Sequence, residues 1–376
     1  MTSESKYIEE LERCDVITIG PIKLRLLFFD SLGAKCSSIM VYTPDVSILV
    51  DPGAAGMQPS FPLPQEEKAK LREKAYERIY RYGASADVVV ITHYHYDHHV
   101  HPDRLNEMID IFKGKVLFIK DPNQWINESQ RKRALKFLSK LHGMLGGEYF
   151  VDLLSPPKFK PKEDFYRKYP KTTSLWEKAG GKKLKVYQAK KRWFSRITKK
   201  WKAENWIGNF EVGNTKVMIA DGKKFKFGET EIKFSEPMFH GQFLDNVGWI
   251  IGLTVKYEST KLLFTSDLQG PIIEEYADWI VDEKPNFIIA DGPPIYTYGF
   301  MIGKEEIIQV VKNMQKIIYE AKPQGIIWDH HLCRGPFRSK IKKVLTTAEK
   351  AGVRLCTAAE QLGRKPLIEQ LNTTIL

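Results

Sequence analysis

A strand-like apolar run that ends in a group of histidines limits which folds this chain can adopt. Residues 86–91, Ala-Asp-Val-Val-Val-Ile, form an almost continuous apolar run, which is typical of a strand covered on both faces. Four histidines and one aspartate follow within seven residues, in the order His93-Tyr-His95-Tyr-Asp97-His98-His99. We call residues 93–99 the histidine cluster. A chain that turns directly after a strand can bring residues two apart together, which it cannot do within the strand.

This cluster has the composition of a metal site. Zinc binds neutral imidazole and carboxylate groups at roughly 2.0–2.2 Å and needs three or four of them to converge. His93 and His95 could hold one ion while Asp97 and His98 face a neighbouring position. The alternative is a solvated histidine tract, but the density of ligand-type side chains at the end of a buried strand argues against it.

Further candidate ligands stand at the ends of later strand-like runs. Taken singly, each has an ordinary explanation, such as a turn aspartate, a loop histidine or a core histidine. Their shared position at strand ends makes the metal interpretation stronger. These residues are Asp51 in Leu-Val-Asp-Pro-Gly, His240 in Glu-Pro-Met-Phe-His-Gly, Asp267 in Leu-Phe-Thr-Ser-Asp, and His330 and His331 in Trp-Asp-His-His.

In this order, the motifs resemble the signature of the metallo-β-lactamase superfamily. The resemblance covers residues 16–362, apart from a basic segment described below, and is nearest to poorly characterised archaeal predicted hydrolases. It implies an α/β fold, a four-layer αβ/βα sandwich. Two mixed sheets should pack face to face with helices outside, and the motifs should meet along one edge.

The resemblance also implies a role for each residue. His93, His95 and His240 would hold one zinc ion. Asp97, His98 and His330 would hold a second, with Asp267 bridging the two, and iron or manganese could replace zinc. His330 is preferred to His331 because it follows its strand more closely. We place Asp51, His99 and His331 behind the ligands, although a solvent-facing His99 is also compatible with the sequence.

Such a site predicts a zinc-dependent hydrolase that needs no protein nucleophile. Zinc lowers the pKa of bound water from about 15.7 towards 7, and two ions about 3.5–4 Å apart could share the resulting hydroxide. The sequence contains neither a G-x-S-x-G elbow nor a phosphate-binding P-loop. Asp97 or Asp267 could pass a proton to the leaving group, and the sequence does not choose between them.

Positive charge is concentrated between residues 131 and 202, which hold 22 Lys or Arg and five acidic residues. We interpret residues 124–206 as a basic, aromatic-rich insertion or lid within a single domain of residues 1–376. One helix is predicted there, at Gln130–Leu141. The segment could be a lid that attracts a polyanion, with Lys190, Lys191 and Arg192 as substrate contacts. Alternatively, its aromatic residues form a separate small core and its lysines are simply solvated.

Several substrate classes remain open. A phosphodiester or other anionic substrate, nucleic acid included, is favoured by the basic segment. The alternative is a carboxylic ester, lactone or thioester, because the 63 residues from Asp267 to His330 leave little room for a large nuclease cap. An alternative of another class is a non-catalytic nucleic-acid-binding protein on this scaffold, against which the complete ligand set argues.

The composition of the chain limits the cellular compartments in which we expect the protein. No apolar run approaches the roughly 18 residues that a membrane-spanning helix needs. The first residues, Met-Thr-Ser-Glu-Ser-Lys-Tyr, include an acidic side chain where a secretory signal would be basic and then apolar. We therefore expect a cytoplasmic protein without a membrane partner.

Overall fold

The strands of the protein form two large sheets, one from each half of the chain. The computed structural model describes residues 16–158, 168–178 and 181–373. The strands in this part of the chain are β1 (Val16–Ile19), β2 (Ile22–Phe29), β3 (Ser37–Tyr42), β4 (Ser47–Val50), β5 (Val88–Ile91), β6 (Val116–Ile119), β7 (Leu154–Ser155), β8 (Trp206–Ile207), β9 (Phe210–Val212), β10 (Thr215–Ile219), β11 (Lys224–Phe227), β12 (Thr230–Phe234), β13 (Met238–Phe239), β14 (Trp249–Ile250), β15 (Leu253–Tyr257), β16 (Thr260–Phe264), β17 (Phe287–Asp291), β18 (Gly325–Asp329) and β19 (Arg354–Cys356).

Each large sheet begins antiparallel and continues parallel, and the first sheet ends in one more antiparallel pair, β10 and β9. The eight-stranded sheet has the order β1-β2-β3-β4-β5-β6-β10-β9, and the seven-stranded sheet has the order β11-β12-β15-β16-β17-β18-β19. In the first sheet β4, β5, β6 and β10 run parallel. In the second, β16 to β19 run parallel. Parallel neighbours place their carboxyl ends at the same edge, which is where the candidate ligands follow.

Helices cover the outer faces of both sheets. Among the described residues, no helix is long and apolar enough to cross a membrane. The α-helices are α1 (Gln65–Gly83), α2 (Leu105–Met108), α3 (Glu128–Met144), α4 (Pro170–Lys178), α5 (Gly181–Ala203), α6 (Glu274–Glu283), α7 (Lys304–Lys316), α8 (Arg338–Ala351), α9 (Ala358–Gln361) and α10 (Leu367–Thr373).

Three apolar clusters separate four layers. The middle cluster joins the facing sides of the two sheets, with Val90 from the first sheet and Ile327 from the second. A second cluster joins the outer face of the first sheet to α1 and α3, and a third joins the outer face of the second sheet to α6, α7 and α8. The predicted four-layer αβ/βα sandwich is therefore confirmed.

One strand-like run of the sequence is divided in two. The residue pattern of Trp249–Tyr257 predicts one continuous strand, but β14 pairs with β13, whereas β15 joins the second sheet. The chain leaves the sheet at Ile251 and Gly252, where the backbone N–H of Ile251 donates to the carbonyl of Thr92 (3.1 Å). A Cβ at Gly252 would lie 2.8 Å from the Trp279 ring. The break ties this segment to the chain just before the histidine cluster.

The basic segment contains more helix than predicted and shares the main core. The prediction of a single helix was wrong, because α4 and α5 follow α3. The buried side chains of α5 belong to the same apolar cluster as Trp249, and the Trp193 and Trp249 rings stack with centroids 5.7 Å apart. The aromatic residues of the described part of this segment therefore do not form a separate core. Phe165 and Tyr166, also counted among the aromatic residues of this segment, lie outside the described residues.

Candidate metal centre

The candidate ligands meet at the carboxyl ends of strands, where ligands bind in open α/β sheets. Asp51 follows β4, the histidine cluster follows β5, and His240 follows β13. Asp267 follows β16, and His330 follows β18. The two sheets touch here, since the hydroxyl oxygens of Thr92 and Ser266 are 2.7 Å apart. Residues far apart in sequence are thereby brought to one edge of the sandwich.

The backbone turns sharply at three of these strand ends. Asp51, Ser266 and His330 have φ values of 50°, 52° and 49°, in the left-handed region. Residues other than glycine rarely adopt this conformation, and it costs on the order of 1 kcal/mol or more. The fold holds these residues in strained conformations at the point where side chains must leave the strand direction and face the site.

The first ligand group consists of His93, His95, His240 and Asp267, whose ligand atoms all lie within 4.8 Å of one another. His93 Nε2 is 3.1 Å from His95 Nδ1. Asp267 Oδ2 is 3.0 Å from His240 Nε2 and 3.5 Å from His93 Nε2. These distances suit atoms that surround one ion, because ligands at about 2 Å from a metal lie about 3 to 4 Å from each other.

The second group consists of Asp97, His98 and His330, also within 4.8 Å. His98 Nε2 and His330 Nε2 are 3.1 Å apart. Asp267 Oδ1 lies 3.1 Å from His98 Nε2 and 3.5 Å from His330 Nε2. Asp267 therefore stands between the two groups and directs one carboxylate oxygen towards each.

His331 lies at the edge of the same arrangement. Its Nε2 is 4.0 Å from Asp267 Oδ2, and it forms a third possible group with Asp267 and His330. His330, unlike His331, belongs to the group with Asp97 and His98. This arrangement favours His330 as a ligand of the second position, although the assignment stays a prediction.

Carboxylates accept hydrogen bonds from the outer ring nitrogens of three histidines. Asp51 Oδ2 accepts from His98 Nδ1 (2.8 Å), and the same carboxylate accepts from the backbone N–H and hydroxyl of Thr92 (2.8 and 2.7 Å). The outer nitrogens of His330 and His331 are held in the same way. Asp30 Oδ1 accepts from His330 Nδ1, and Asp291 Oδ1 from His331 Nδ1, both at 2.9 Å. Such contacts fix the tautomer of each ring and direct the other nitrogen inward.

The inward-facing atoms fit a metal ion. His240 Nε2 and Asp267 Oδ1 are buried, and neither has a hydrogen-bond partner of acceptable geometry among the described residues. Burial opposes a charge on His98, yet Asp267 and Asp51 raise its pKa to about 10. The carboxylates thus create a field that favours positive charge at this place. Imidazole and carboxylate ligands are compatible with zinc, iron or manganese.

Sequence reasoning missed four residues of the site: Asp30, Lys35, Asp291 and Arg334. Asp30 directly follows β2, and Asp291 ends β17. The pattern of an apolar strand ending in an aspartate, which singled out Asp51, occurs at both positions and could have identified them. Arg334 carries no such pattern, and only the structure shows that it reaches Asp97, with Nη2 3.0 Å from Oδ2.

His99, the last residue of the histidine cluster, lies outside both ligand groups. His99 donates from Nδ1 to the carbonyl of Val100 (2.9 Å), and its ring packs against Phe137. Burial lowers its pKa to about 3. These contacts are those of a neutral core histidine, and a role of His99 behind the ligands stays a prediction.

The predicted substrate contacts lie on α5. Lys190 Nζ donates to the carbonyl of Phe243 (3.1 Å), three residues after His240, so the helix packs against the loop that follows this ligand. Lys191 Nζ lies 5.1 Å from the centre of the Tyr187 ring, and Arg192 is exposed. None of the three contacts a ligand atom in the described structure, and a role in substrate binding stays a prediction.

Comparison with known proteins places this geometry in a family. The model of the metallo-beta-lactamase superfamily matches residues 33–99, which include the histidine cluster. A UPF0282 protein of Methanocaldococcus jannaschii is 32% identical over 356 residues, which are 92% of this chain and 94% of that protein. The chain belongs to the UPF0282 family. A UPF0282 protein of Sulfurisphaera tokodaii is also 32% identical, over 92% of this chain and 89% of the relative.

The predicted membership of the metallo-β-lactamase superfamily, nearest to its archaeal members, is confirmed. Among solved structures, the metallo-beta-lactamase fold protein YhfI from Bacillus subtilis is 12% identical to this UPF0282 chain. The alignment covers 90% of this chain and 97% of the YhfI chain, with a TM-score of 0.42. The superfamily match and the ligand groups together show a hydrolase-type fold with candidate metal-binding His and Asp clusters.

Proposed function

We propose that the protein is a metal-dependent hydrolase that binds two divalent ions, most suitably zinc, and cleaves an anionic substrate. The observation that carries this proposal is the position of Asp267, with one oxygen near each of two converging ligand groups. When bound, the two ions would acidify a water molecule and polarise the scissile bond.

The protein's own residues would prepare the site. Asp51, Asp30 and Asp291 hold the outer nitrogens of their histidines, so that the inner nitrogens point to the centre without reorganisation. The strained backbone at Asp51 and His330 serves the same purpose. A site fixed in advance keeps its electrostatic effect because no side chain has to move during reaction. A proton-transfer role for Asp97 or Asp267 stays part of the proposal.

Two cations near the second ligand group favour an anionic substrate. Arg334 contacts Asp97 directly, as described above. Lys35 is half-buried; burial and nearby Arg334 lower its pKa, whereas Asp97 and Asp30 oppose this shift. Within the described residues, its ammonium group makes no hydrogen bond or ion pair. A partly desolvated ammonium group without a partner raises the free energy of the folded protein unless an anion binds to it. We infer that a phosphate or phosphodiester group takes this place.

A carboxylic ester, lactone or thioester is the second candidate. A cavity of about 290 Å³ adjoins the loop after His240, and Trp176, Phe243 and Ile272 form part of its apolar lining. Charged side chains, Lys183 and Glu305 among them, line the rest. Such a cavity could receive an apolar acyl group. The two candidates differ in the charge of the substrate, which an experiment can vary directly.

The test compares metal-loaded protein on bis(p-nitrophenyl) phosphate, which is anionic, and p-nitrophenyl acetate, which is neutral. We expect turnover of the phosphodiester that requires metal. Lys35→Met should raise its KM about tenfold or more, because a hydrogen bond to a charged group contributes about 1.5–3 kcal/mol. Lys23 is an exposed lysine on β2, and Lys23→Met is the matched control, which should leave this KM unchanged. Metal-dependent hydrolysis of the neutral ester alone, unaffected by Lys35→Met, would instead support the second candidate.

A further inference from the structure

The two ligand groups differ in their cationic neighbours: among the described residues, a buried guanidinium touches only the second group. Arg334 is 5% exposed. Its Nη2 lies 3.0 Å from Asp97 Oδ2 and 3.1 Å from His330 Nε2. In the described part of the chain, no Lys or Arg side chain contacts the ligand atoms of the first group. The second group therefore already holds a cationic donor where an ion would bind.

Asp30 keeps the guanidinium in place. Arg334 Nε donates to Asp30 Oδ2 at 2.5 Å, and Asp30 is fully buried. Burial opposes the charge of Arg334, but Asp30 and Asp97 hold its pKa well above its usual range. The pair is a buried salt bridge, and removing one partner of such a pair leaves an uncompensated charge. Arg334 thus cannot lose its charge or easily leave the site.

Competition for the ligand atoms follows from this contact. The inward nitrogen of a neutral imidazole has a single lone pair, which accepts either a hydrogen bond or a metal ion. Because Nη2 is within donor distance of His330 Nε2, an ion at this position must displace Nη2 and then stay beside its positive charge. Asp51 and Asp30 still attract the ion, so the second position is weakened and not abolished.

We propose that Arg334 makes the two metal positions unequal, so that an ion binds first and more tightly to His93, His95 and His240 than to Asp97, His98 and His330. This inference rests on the proposed function, since it requires that both groups bind metal. It assigns to Arg334 the role of a positioning residue that sets the order of metal loading. At low metal supply, the protein would hold one ion, with the guanidinium providing positive charge at the second position.

The test is a calorimetric titration of metal-free protein with Zn²⁺ in the presence of a competing chelator, repeated with Mn²⁺. Wild-type protein should show two affinities. Arg334→Met should tighten the weaker one by about tenfold or more, since charges a few ångströms apart repel strongly even when partly screened. The tighter affinity should change little. Arg78→Met, which removes an 8% exposed arginine elsewhere, is the control and should change neither.

A second variant guards against misfolding of the first. Asp30→Asn combined with Arg334→Met removes both charges of the pair. Asp30 Oδ1 accepts from His330 Nδ1 and from the backbone N–H of Cys36, at 2.9 Å each. The carbonyl oxygen of an asparagine can accept the same two hydrogen bonds. Of the contacts of Asp30, only the one to Arg334 is lost. This double variant should bind the second ion more tightly than the wild type, because no donor competes for His330 Nε2, but less tightly than Arg334→Met, because the attraction of Asp30 is also lost.

The outcomes are distinct. Two equal affinities in the wild type would overturn the inference, as would a weaker or unchanged second affinity in both Arg334 variants. Absence of metal binding in the wild type and in every variant would instead refute the proposed function. Two unequal affinities that become more similar on loss of Arg334 would support both.

Discussion

Replacement of Trp201 tests whether the basic segment is part of the main core. Trp201 is 2% exposed on α5, and its ring lies 5.4 Å from the Trp249 ring and 5.3 Å from the Trp125 ring, centre to centre. Its Nε1 donates to the carbonyl of Ile126 (2.9 Å). A substitution here should therefore act on the whole domain and not only on the segment.

The expected magnitude follows from burial. Trp201→Ala leaves a large cavity and should lower the free energy of unfolding by about 3–5 kcal/mol. Trp201→Phe keeps most of the ring but leaves the buried carbonyl of Ile126 without its donor, which should cost about 1–3 kcal/mol. Val186→Ala is the matched control on the same helix, because Val186 is 40% exposed and surface changes stay within about 0.5 kcal/mol.

Denaturant unfolding followed by circular dichroism measures these differences through the transition midpoint. We expect the main transition to shift in the order Trp201→Ala, Trp201→Phe, Val186→Ala, with the largest shift first. If Trp201→Ala shifts the main transition no more than Val186→Ala does, or produces a separate early transition of the segment alone, the packing described above does not support the fold.

Three further outcomes are expected. Asp51→Asn should weaken metal binding by about 10–100-fold, measured by chelator competition, because it disturbs the ring that Asp51 orients. Gly53→Ala should lower both stability and metal content, measured by thermal unfolding and elemental analysis, since its Cβ would lie 2.3 Å from a backbone nitrogen of the histidine cluster. Turnover of an anionic substrate should fall steeply from low to moderate salt. Neutralising Lys190, Lys191 and Arg192 together should lower it again without loss of metal, and salt-insensitive turnover would contradict steering by α5.

The fold was largely predictable because the strand pattern is strong. Residues 88–91 are fully buried, as their continuous apolar run indicated, and the ligand-type residues follow strand ends as expected. Helix α5 was missed although its buried residues Tyr187, Phe194 and Trp201 recur every seven residues. The surrounding lysines obscured this period, and aromatic side chains have only moderate helix propensity. Its packing partners come from distant parts of the chain.

The site was predictable only where a local pattern exists. The histidine cluster is recognisable from its local sequence, whereas Arg334 contacts Asp97 from 237 residues away in the chain. Lys35 pairs with Ala55 in an isolated bridge, next to the loop that begins at Asp51, and the charges of Asp97 and Asp30 act on its pKa. The contact of Arg334 depends on how the two sheets stack, and the position of Lys35 depends on how the chain folds back after β4; no local spacing encodes either. Contacts of this kind decide the charge around the ligands.

Asp267 is proposed to contribute one carboxylate oxygen to each metal position. Elemental analysis of protein reconstituted with excess zinc and freed of unbound metal measures this contribution, with Asp267→Asn beside the wild type. We expect about two ions per wild-type chain and a marked loss from both positions in the variant, because one carboxylate would serve both ions. Less than about half an equivalent in the reconstituted wild type would refute both positions, since a complete set of imidazole and carboxylate ligands binds zinc tightly.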